Sequence, residues 1–231
     1  MAQTLAEQIL SHASGQTVQA GEVVTCRVDL AMIHDSIAPS VIRILQQDLG
    51  VERVWNREQV AVTIDHVAPA ASIQTASAQH GVRRWAIDQD IPNYFETGRG
   101  ICHQVLIEER LALPGMLVLG SDSHSTAYGA VGAFGSGMGA TDMALALATG
   151  QTWLRVPESI LVRARGRLGL GVSAKDAALW ITRQLRADGA TYQALEYQGF
   201  DQFSVGERTT LSTMAVEVGA KAGIVLSLIH I

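Results

Sequence analysis

The stretch GMLVLGSDSHSTAYGAVGAFGSGMGATDMA, Gly115 to Ala144, holds the reading on which the fold turns. Its apolar opening, Met116 to Leu119, reads as a short buried strand that breaks into the polar cluster Ser121-Asp122-Ser123-His124. Glycines follow at 129, 132, 135, 137 and 139, and Ala140 to Gly150 then has the composition of a helix, with Thr141 as its candidate N-cap. A strand that runs into polar residues and is followed by a helix is the repeating part of a parallel α/β sheet.

Working outward, strand-like runs recur at Glu22 to Leu30, Val60 to Ile64, Val82 to Ile87 and Ser159 to Gly166. Helix-like segments lie between them at Ala38 to Gly50, Ala71 to Gly81 and Gly100 to Gly115. This alternation predicts an α/β protein, a three-layer α/β/α arrangement around a largely parallel sheet. The character changes after Pro157, so residues 1–157 are read as one domain and residues 158–231 as part of a second α/β subdomain. In that second part a strand and a glycine-rich turn lead to a helix with Ser173 as N-cap and Asp176 three residues on. MAVEVGAKAG reads as a further helix closing on Gly223. The chain then stops inside the apolar run IVLSLIHI, which reads as a truncation.

Composition narrows the function. With 48% hydrophobic and 17% charged residues, the chain has ample material for a core and is not a disordered segment. A net charge of -5 without a Lys/Arg block leaves no footprint for nucleic acid or an anionic membrane. The start MAQTLAEQILSHASG lacks the basic opening and long apolar run of a signal peptide, and no apolar run approaches the roughly 18 to 20 residues of a membrane span. A cytoplasmic protein acting on small molecules is expected. The two cysteines, Cys26 and Cys102, form neither a CxxC motif nor a disulfide framework.

Open parallel sheets bind ligands beyond the carboxyl ends of their strands, and this is where the polar residues collect. His34 and Asp35 end the first apolar run, Asp65 and His66 end the second, and Asp122 and His124 follow Gly120. His103 stands in the first turn of a helix. Four of the seven histidines thus share one sheet edge, which a scatter of structural histidines would not produce; His12 and His80, read at helix ends, and His230, in the terminal stub, receive no role. A carboxylate that accepts one ring N–H fixes the tautomer of an imidazole and readies it for proton transfer near neutral pH. In an extended segment Asp122 and His124 face one side, and Ser121 and Ser123 the other. That facing, and the absence of a GxSxG elbow, argue against a serine nucleophile. Gly135 to Ala140 formally matches a dinucleotide-binding pattern, with Glu158 in place of the ribose acid. Its context is wrong, because the apolar strand ends at Gly120 and YGAVGAF is too rich in small residues for a buried strand. The glycines are read instead as points of close backbone approach.

These same stretches resemble the N-terminal part of the aconitase superfamily, nearest to the large subunits of 3-isopropylmalate dehydratase and homoaconitase. The resemblance rests on TLAEQIL, RVDLAMIHD, TIDHVAP, GRGICHQVLIEERLALPGMLVLGSDSHSTAYGAVGAFGSGMGATDMA, the segment from Trp153 through VPESI, and MAVEVGAKAG. It implies an iron-sulfur hydro-lyase, most simply one interconverting 2- and 3-isopropylmalate in leucine biosynthesis, in which a [4Fe-4S] cluster acts as Lewis acid on the leaving hydroxyl. By the same resemblance Asp65 with His66, His103 with Asp122, and His124 with Glu217 are catalytic acid-histidine pairs, and His34 and Ser123 contact substrate. A homoaconitate or dimethylmalate hydratase is the alternative within the family. A non-catalytic module binding a small acid or nucleotide is the alternative outside it.

The departures carry information as well. Where aconitase itself has a substrate-binding glutamine this chain has His34, and Ala127 replaces an asparagine after the DSH motif; both favour the isopropylmalate and homoaconitate branch. The family's three cluster cysteines have no counterpart in the sequence, and Cys26 and Cys102 do not match them. No metal ligand is therefore assigned in this chain, and no cluster is expected on it alone. The family's general-base serine and substrate-clamping arginine lie on a swivelling domain, a separate small subunit in this branch and the expected partner. Residues 227–231, SLIHI, do not continue the family pattern and are read as foreign to it, so the polypeptide is expected to be a fragment.

Overall fold

The computed structural model describes residues 3–226, so the expectation for residues 227–231 lies outside the described part. Helix α1 (Leu5–Ser14) starts at a capping box, Thr4 with Glu7, and stops at Gly15 in the left-handed region. Strands β1 (Val23–Arg27) and β2 (Leu30–His34) follow, then α2 (Ala38–Arg43), β3 (Val60–Thr63), α3 (Ile73–Asp88), β4 (Asn93–Phe95), α4 (Cys102–Glu108), β5 (Leu117–Gly120) and β6 (Phe134–Gly137). Helix α5 (Ala140–Thr149) and strand β7 (Gln151–Arg155) complete this half. Beyond it come β8 (Ser159–Arg163), α6 (Ala174–Leu185), β9 (Ala194–Gln198), α7 (Val205–Thr213) and β10 (Ala222–Val225).

Five strands form a parallel sheet in the order β4-β3-β2-β5-β6. Strands β2, β3 and β5 are buried along their whole length, as expected of parallel strands covered on both faces. Their side chains divide by the two-residue period of the pleat. Ala31, Ile33, Val60, Val62, Leu117 and Leu119 face the core built with α1, α2, α3 and α5, whereas Leu30, Met32, Ala61 and Val118 face a smaller core built with Cys102 and Leu106 of α4 and with Tyr128. The chain lays β2, β3 and β4 in one direction and then returns to place β5 and β6 on the other side of β2. The crevice between β2 and β5 is the topological switch point of the sheet. A second parallel sheet, β10-β9-β8, carries its own core with α6 and α7.

Several sequence expectations give way. Glu22 to Leu30 is two strands, because Asp29 turns the chain: its carboxylate accepts the Leu117 N–H at 2.8 Å and its own N–H donates to the Leu117 carbonyl at 3.0 Å. The alternating half, β1, instead pairs antiparallel with β7. Val82 to Ile87 is not a strand but the last turns of α3, where Gln79, Val82, Trp85 and Ala86 are buried at helical spacing, so His80 lies mid-helix rather than at an end. YGAVGAF, Tyr128 to Phe134, is 3-10 helix over most of its length rather than a buried strand, as expected; the edge strand β6 that the sequence did not show begins on its last residue, Phe134, and runs to Gly137. Gly139, not Thr141, is the N-cap of α5. The helical turn in MAVEVGAKAG closes at Gly219, and Ala222 onward is strand. The Ser173 cap with Asp176 forms as expected.

One glycine contact ties the two sheets together. Residues Ser123–Val131 form a 3-10 helix, and a Cβ on Gly129 would sit 1.8 Å from the Gly223 carbonyl oxygen in β10. Only a residue without a side chain lets these segments meet.

Candidate active site

The site is assembled at the carboxyl ends of β2, β3 and β5, beside the switch point. His34 is the last residue of β2, and Asp35 follows it. Asp35 is 3% exposed, and its carboxylate gathers the loop after β3: Oδ1 accepts the N–H groups of His66 at 2.9 Å and Asp65 at 3.3 Å, and Oδ2 accepts the Val67 N–H at 3.1 Å and the Gln79 side-chain amide at 2.8 Å. The sequence placed Asp35 at the edge but gave it no role. Its signal, an acid directly after a strand-end histidine, is visible only once the loop it binds is known.

That loop presents the acid-histidine pair. His66 Nδ1 lies 3.0 Å from Asp65 Oδ1, and His66 Nε2 lies 3.1 Å from Asp122 Oδ2. The other oxygen of Asp65 accepts the Cys102 N–H at 2.7 Å, which anchors the start of α4 and with it His103. His103 Nε2 meets Asp122 Oδ1 at 2.9 Å, and its Nδ1 faces the Tyr128 hydroxyl at 3.4 Å. Asp122 is therefore the hub. Its Oδ1 also accepts the His124 N–H at 2.7 Å, so it caps the 3-10 helix that follows. Asp122 and His124 consequently do not sit on one face of an extended segment, as the sequence alternation predicted; a helical turn brings the His124 N–H back to the carboxylate. His124 Nε2 reaches Glu217 Oε1 at 3.2 Å, and its Nδ1 faces Ser123 Oγ at 3.2 Å. Glu217 arrives from the second half of the chain on the 3-10 turn Met214–Val218.

His34 is brought to the same place but 2% exposed, its ring stacked on that of His66 with centroids 3.6 Å apart and planes 17° from parallel. Its Nδ1 lies 3.0 Å from Ser36 Oγ. The candidate site residues read from the sequence thus join one cluster, and the extended path from Asp122 to His124 is the expectation that fails.

The electrostatics follow the geometry. Burial raises the Asp122 carboxyl, but the hydrogen bonds from His103, the His124 N–H and His66 outweigh it and hold the group far below the usual carboxylate range. Asp65 behaves likewise: burial pushes it up, and His66 with the Cys102 N–H brings it lower than normal. His66 is pushed down by burial yet ends above its ordinary value, because both ring nitrogens face carboxylates. An imidazole donating from both nitrogens is an imidazolium. His34 goes the other way, lowered by burial and by the charge of the stacked His66.

The comparisons with known proteins fall on this arrangement. The sequence pattern of the aconitase family (aconitate hydratase) matches residues 7–227. The chain belongs to the aconitase family. It is 63% identical over 226 residues to the 3-isopropylmalate dehydratase large subunit of Herpetosiphon aurantiacus, covering 97% of this chain and 54% of that protein. It is 56% identical over 229 residues to the homoaconitase large subunit of Thermus thermophilus, with 98% of this chain and 54% of that protein covered. A 3-isopropylmalate dehydratase large subunit of Deinococcus radiodurans is 54% identical over 224 residues. The chain spans about half the length of the curated relatives it matches. No helix among the described residues is long and apolar enough to cross a membrane.

As a member of the aconitase family the chain raises the question of an iron-sulfur cluster, and its thiols do not fit one. Cys26 is buried in the main core under α1, and burial pushes its thiol up to about 11. Cys102 is buried in the smaller core, and burial, with the Asp65 carboxylate beside it, raises its thiol far beyond that of an exposed cysteine. Two protonated thiols in separate cores cannot ligate a cluster. Among the described residues two other groups bring ligand atoms within 4.8 Å of one another, His34-Asp35-His66 and Asp65-His66-Cys102. In both, the carboxylate is already occupied by N–H and O–H donors, four for Asp35 and the Thr63 hydroxyl, His66 and the Cys102 N–H for Asp65. They are hydrogen-bonded networks that orient His66.

Proposed function

We propose that this chain supplies the proton-handling edge of a hydro-lyase acting on a hydroxy di- or tricarboxylic acid, with 3-isopropylmalate as the substrate that similarity favours. The observation that carries this reading is the continuous set Asp65-His66-Asp122-His103, extended by His124-Glu217, at the switch point of a parallel sheet. Elimination of water breaks a C–O bond as the hydroxyl takes a proton, while a base takes a proton from the adjacent carbon to form the enoic acid. His66, held as an imidazolium between two carboxylates, is the donor suited to the departing hydroxyl. Asp122, kept ionised by hydrogen bonds from His103, the His124 N–H and His66, holds the His66 and His103 rings in place and is a poor acceptor for a further proton. His124 with Glu217 forms the third relay, and Ser123 and His34 are assigned to the substrate side. In the whole protein a [4Fe-4S] cluster and a separate small subunit complete this reading, along with a cytoplasmic place in leucine biosynthesis. No step assigned here passes through the cluster, which these cysteines do not hold. The 56% identity to a homoaconitase large subunit supports homoaconitate as a second substrate reading.

The test is turnover by the complete large subunit carrying this segment, paired with its small subunit, followed through the ultraviolet absorbance of the enoic acid formed from 3-isopropylmalate or homoisocitrate. His66→Asn is expected to lower kcat by about 10²- to 10⁴-fold with little change in KM. Turnover at the wild-type rate in this variant would remove His66 from the reaction. Binding without turnover of either acid by the wild-type complex would favour the non-catalytic module.

A further inference from the structure

The catalytic edge is rich in carboxylates: Asp35, Asp65, Asp122 and Glu217 all stand on it. A dicarboxylic substrate adds two more negative charges, and nothing in the acid-histidine set is built to hold a second carboxylate. Beside the set lies a cavity of about 410 Å³, lined among others by Ser121, Ser123, Thr126, Met138, Gly139 and Lys221. Ser121 and Ser123 are the chain neighbours of Asp122, so the cavity lies next to the segment that carries the hub. Its volume falls in the range of small-molecule sites.

Lys221 is the cation in that lining. It comes four residues after Glu217, directly before β10, and is half-buried. Its ammonium donates to the Gly137 carbonyl at 3.2 Å and lies 5.9 Å from the ring centre of Tyr192. Met138 Sδ is 3.8 Å away. Among the described residues no carboxylate lies within 4.0 Å of it; Asp142, in the first turn of α5, acts on it only from farther off. An ammonium has three protons to place, and this half-buried one gives the Gly137 carbonyl only one of them and has no ion partner among the described residues. The same wall supplies neutral donors. Ser121 Oγ already accepts the His34 N–H at 3.1 Å, which leaves its hydroxyl proton to give, and Gly139 begins the ten-residue α5 with no side-chain cap on its first N–H groups.

We propose that Lys221 is a substrate-binding residue, the cation that takes the substrate carboxylate remote from the leaving hydroxyl, with Ser121 and Ser123 as neutral donors beside it. This rests on the hydro-lyase reading for the identity of the acid, but the anion site itself rests on the cavity and on an ammonium without a carboxylate partner among the described residues. It makes residue 221 the point where the second half of the chain contributes to substrate affinity, as Glu217 four residues earlier contributes to proton transfer.

The experiment uses the chain itself, titrated with 3-isopropylmalate and separately with malonate. Binding is read from amide chemical shifts around residues 121, 139 and 221 and from thermal stabilisation. In the wild type both acids are expected to bind. Lys221→Met should weaken both by at least about tenfold, and Lys221→Arg by no more than about threefold. Methionine keeps the apolar stem, so the ligand-free Tm of Lys221→Met should not fall below that of the wild type. Equal affinity of wild type and Lys221→Met for both acids overturns the proposal, as does failure of the wild-type chain to bind either. Malonate bound through Lys221 with 3-isopropylmalate ignored would uphold the anion site and overturn the reading of the substrate.

Discussion

Replacing Asp35 by asparagine changes one atom in the clamp that holds the catalytic loop. Asparagine is nearly isosteric, so no cavity opens and the change isolates hydrogen bonding. With Oδ1 conserved, the bonds from the His66 N–H at 2.9 Å and the Asp65 N–H at 3.3 Å survive, weakened by the loss of charge. The new amide nitrogen replaces Oδ2 and meets two donors head on, the Val67 N–H at 3.1 Å and Gln79 Nε2 at 2.8 Å. Two hydrogen bonds to a charged acceptor, each worth about 1.5 to 3 kcal/mol, are lost in a buried place, a total of about 3 to 6 kcal/mol. Rotation of the Gln79 amide could offer its oxygen instead, but it would forfeit the 2.9 Å bond from Nε2 to the Val67 carbonyl, so little is recovered. Urea unfolding of wild type and Asp35→Asn at one pH measures the difference, with the slope m compared to confirm that the denatured states match. A loss below about 1 kcal/mol at unchanged m would refute the view that Asp35 organises the loop after β3. The same variant should blur or shift the ring resonances of His66, because its backbone anchor is weakened and the N–H of the next residue, Val67, has lost its acceptor.

Two further outcomes are expected. The His66 value is raised in the folded chain, so its contribution to stability is full below the unfolded value near 6.5 and is lost as pH rises through the folded one, whereas the lowered Asp65 and Asp122 contribute above about 4 and lose their effect as pH falls. The stability difference between wild type and His66→Asn should therefore be larger at pH 5.5 than at pH 8.5 by urea titration, and a difference independent of pH would contradict the bridged imidazolium. Gly129→Ala would force a methyl to within 1.8 Å of the Gly223 carbonyl, so the 3-10 helix and β10 must part; a loss of about 3 kcal/mol or more in thermal or urea unfolding is expected, against no change if the two segments do not pack.

How much of this was legible depends on the scale of the interaction that decides each feature. Strands β2, β3 and β5 are continuous apolar runs that end in His34, Asp65 and Asp122, so both the parallel sheet and the edge that carries the chemistry could be read directly. Val82 to Ile87 misled because valine, tryptophan and isoleucine have strand preference on their own; burial of every third or fourth residue against the core made the segment helical. The facing of Asp122 and His124 depended on a capping bond within the polar cluster, where a local competitor displaces the extended form. Asp35 and Lys221 were illegible for a different reason. Their partners, the loop at Asp65 to Val67 and the Gly137 carbonyl, are distant in sequence, and nothing in the spacing of the residues announces them.

The stacking of His34 on His66 has one more consequence. Two cationic rings 3.6 Å apart would repel by about 4 to 5 kcal/mol even at an effective dielectric constant near 20. The stack therefore holds a single positive charge, and His34 stays neutral for as long as His66 keeps both of its protons. In a mildly acidic medium the stacked pair does not go on filling with protons as two independent histidines would. It behaves as a reservoir of fixed capacity, ready to release one proton and refilled by one.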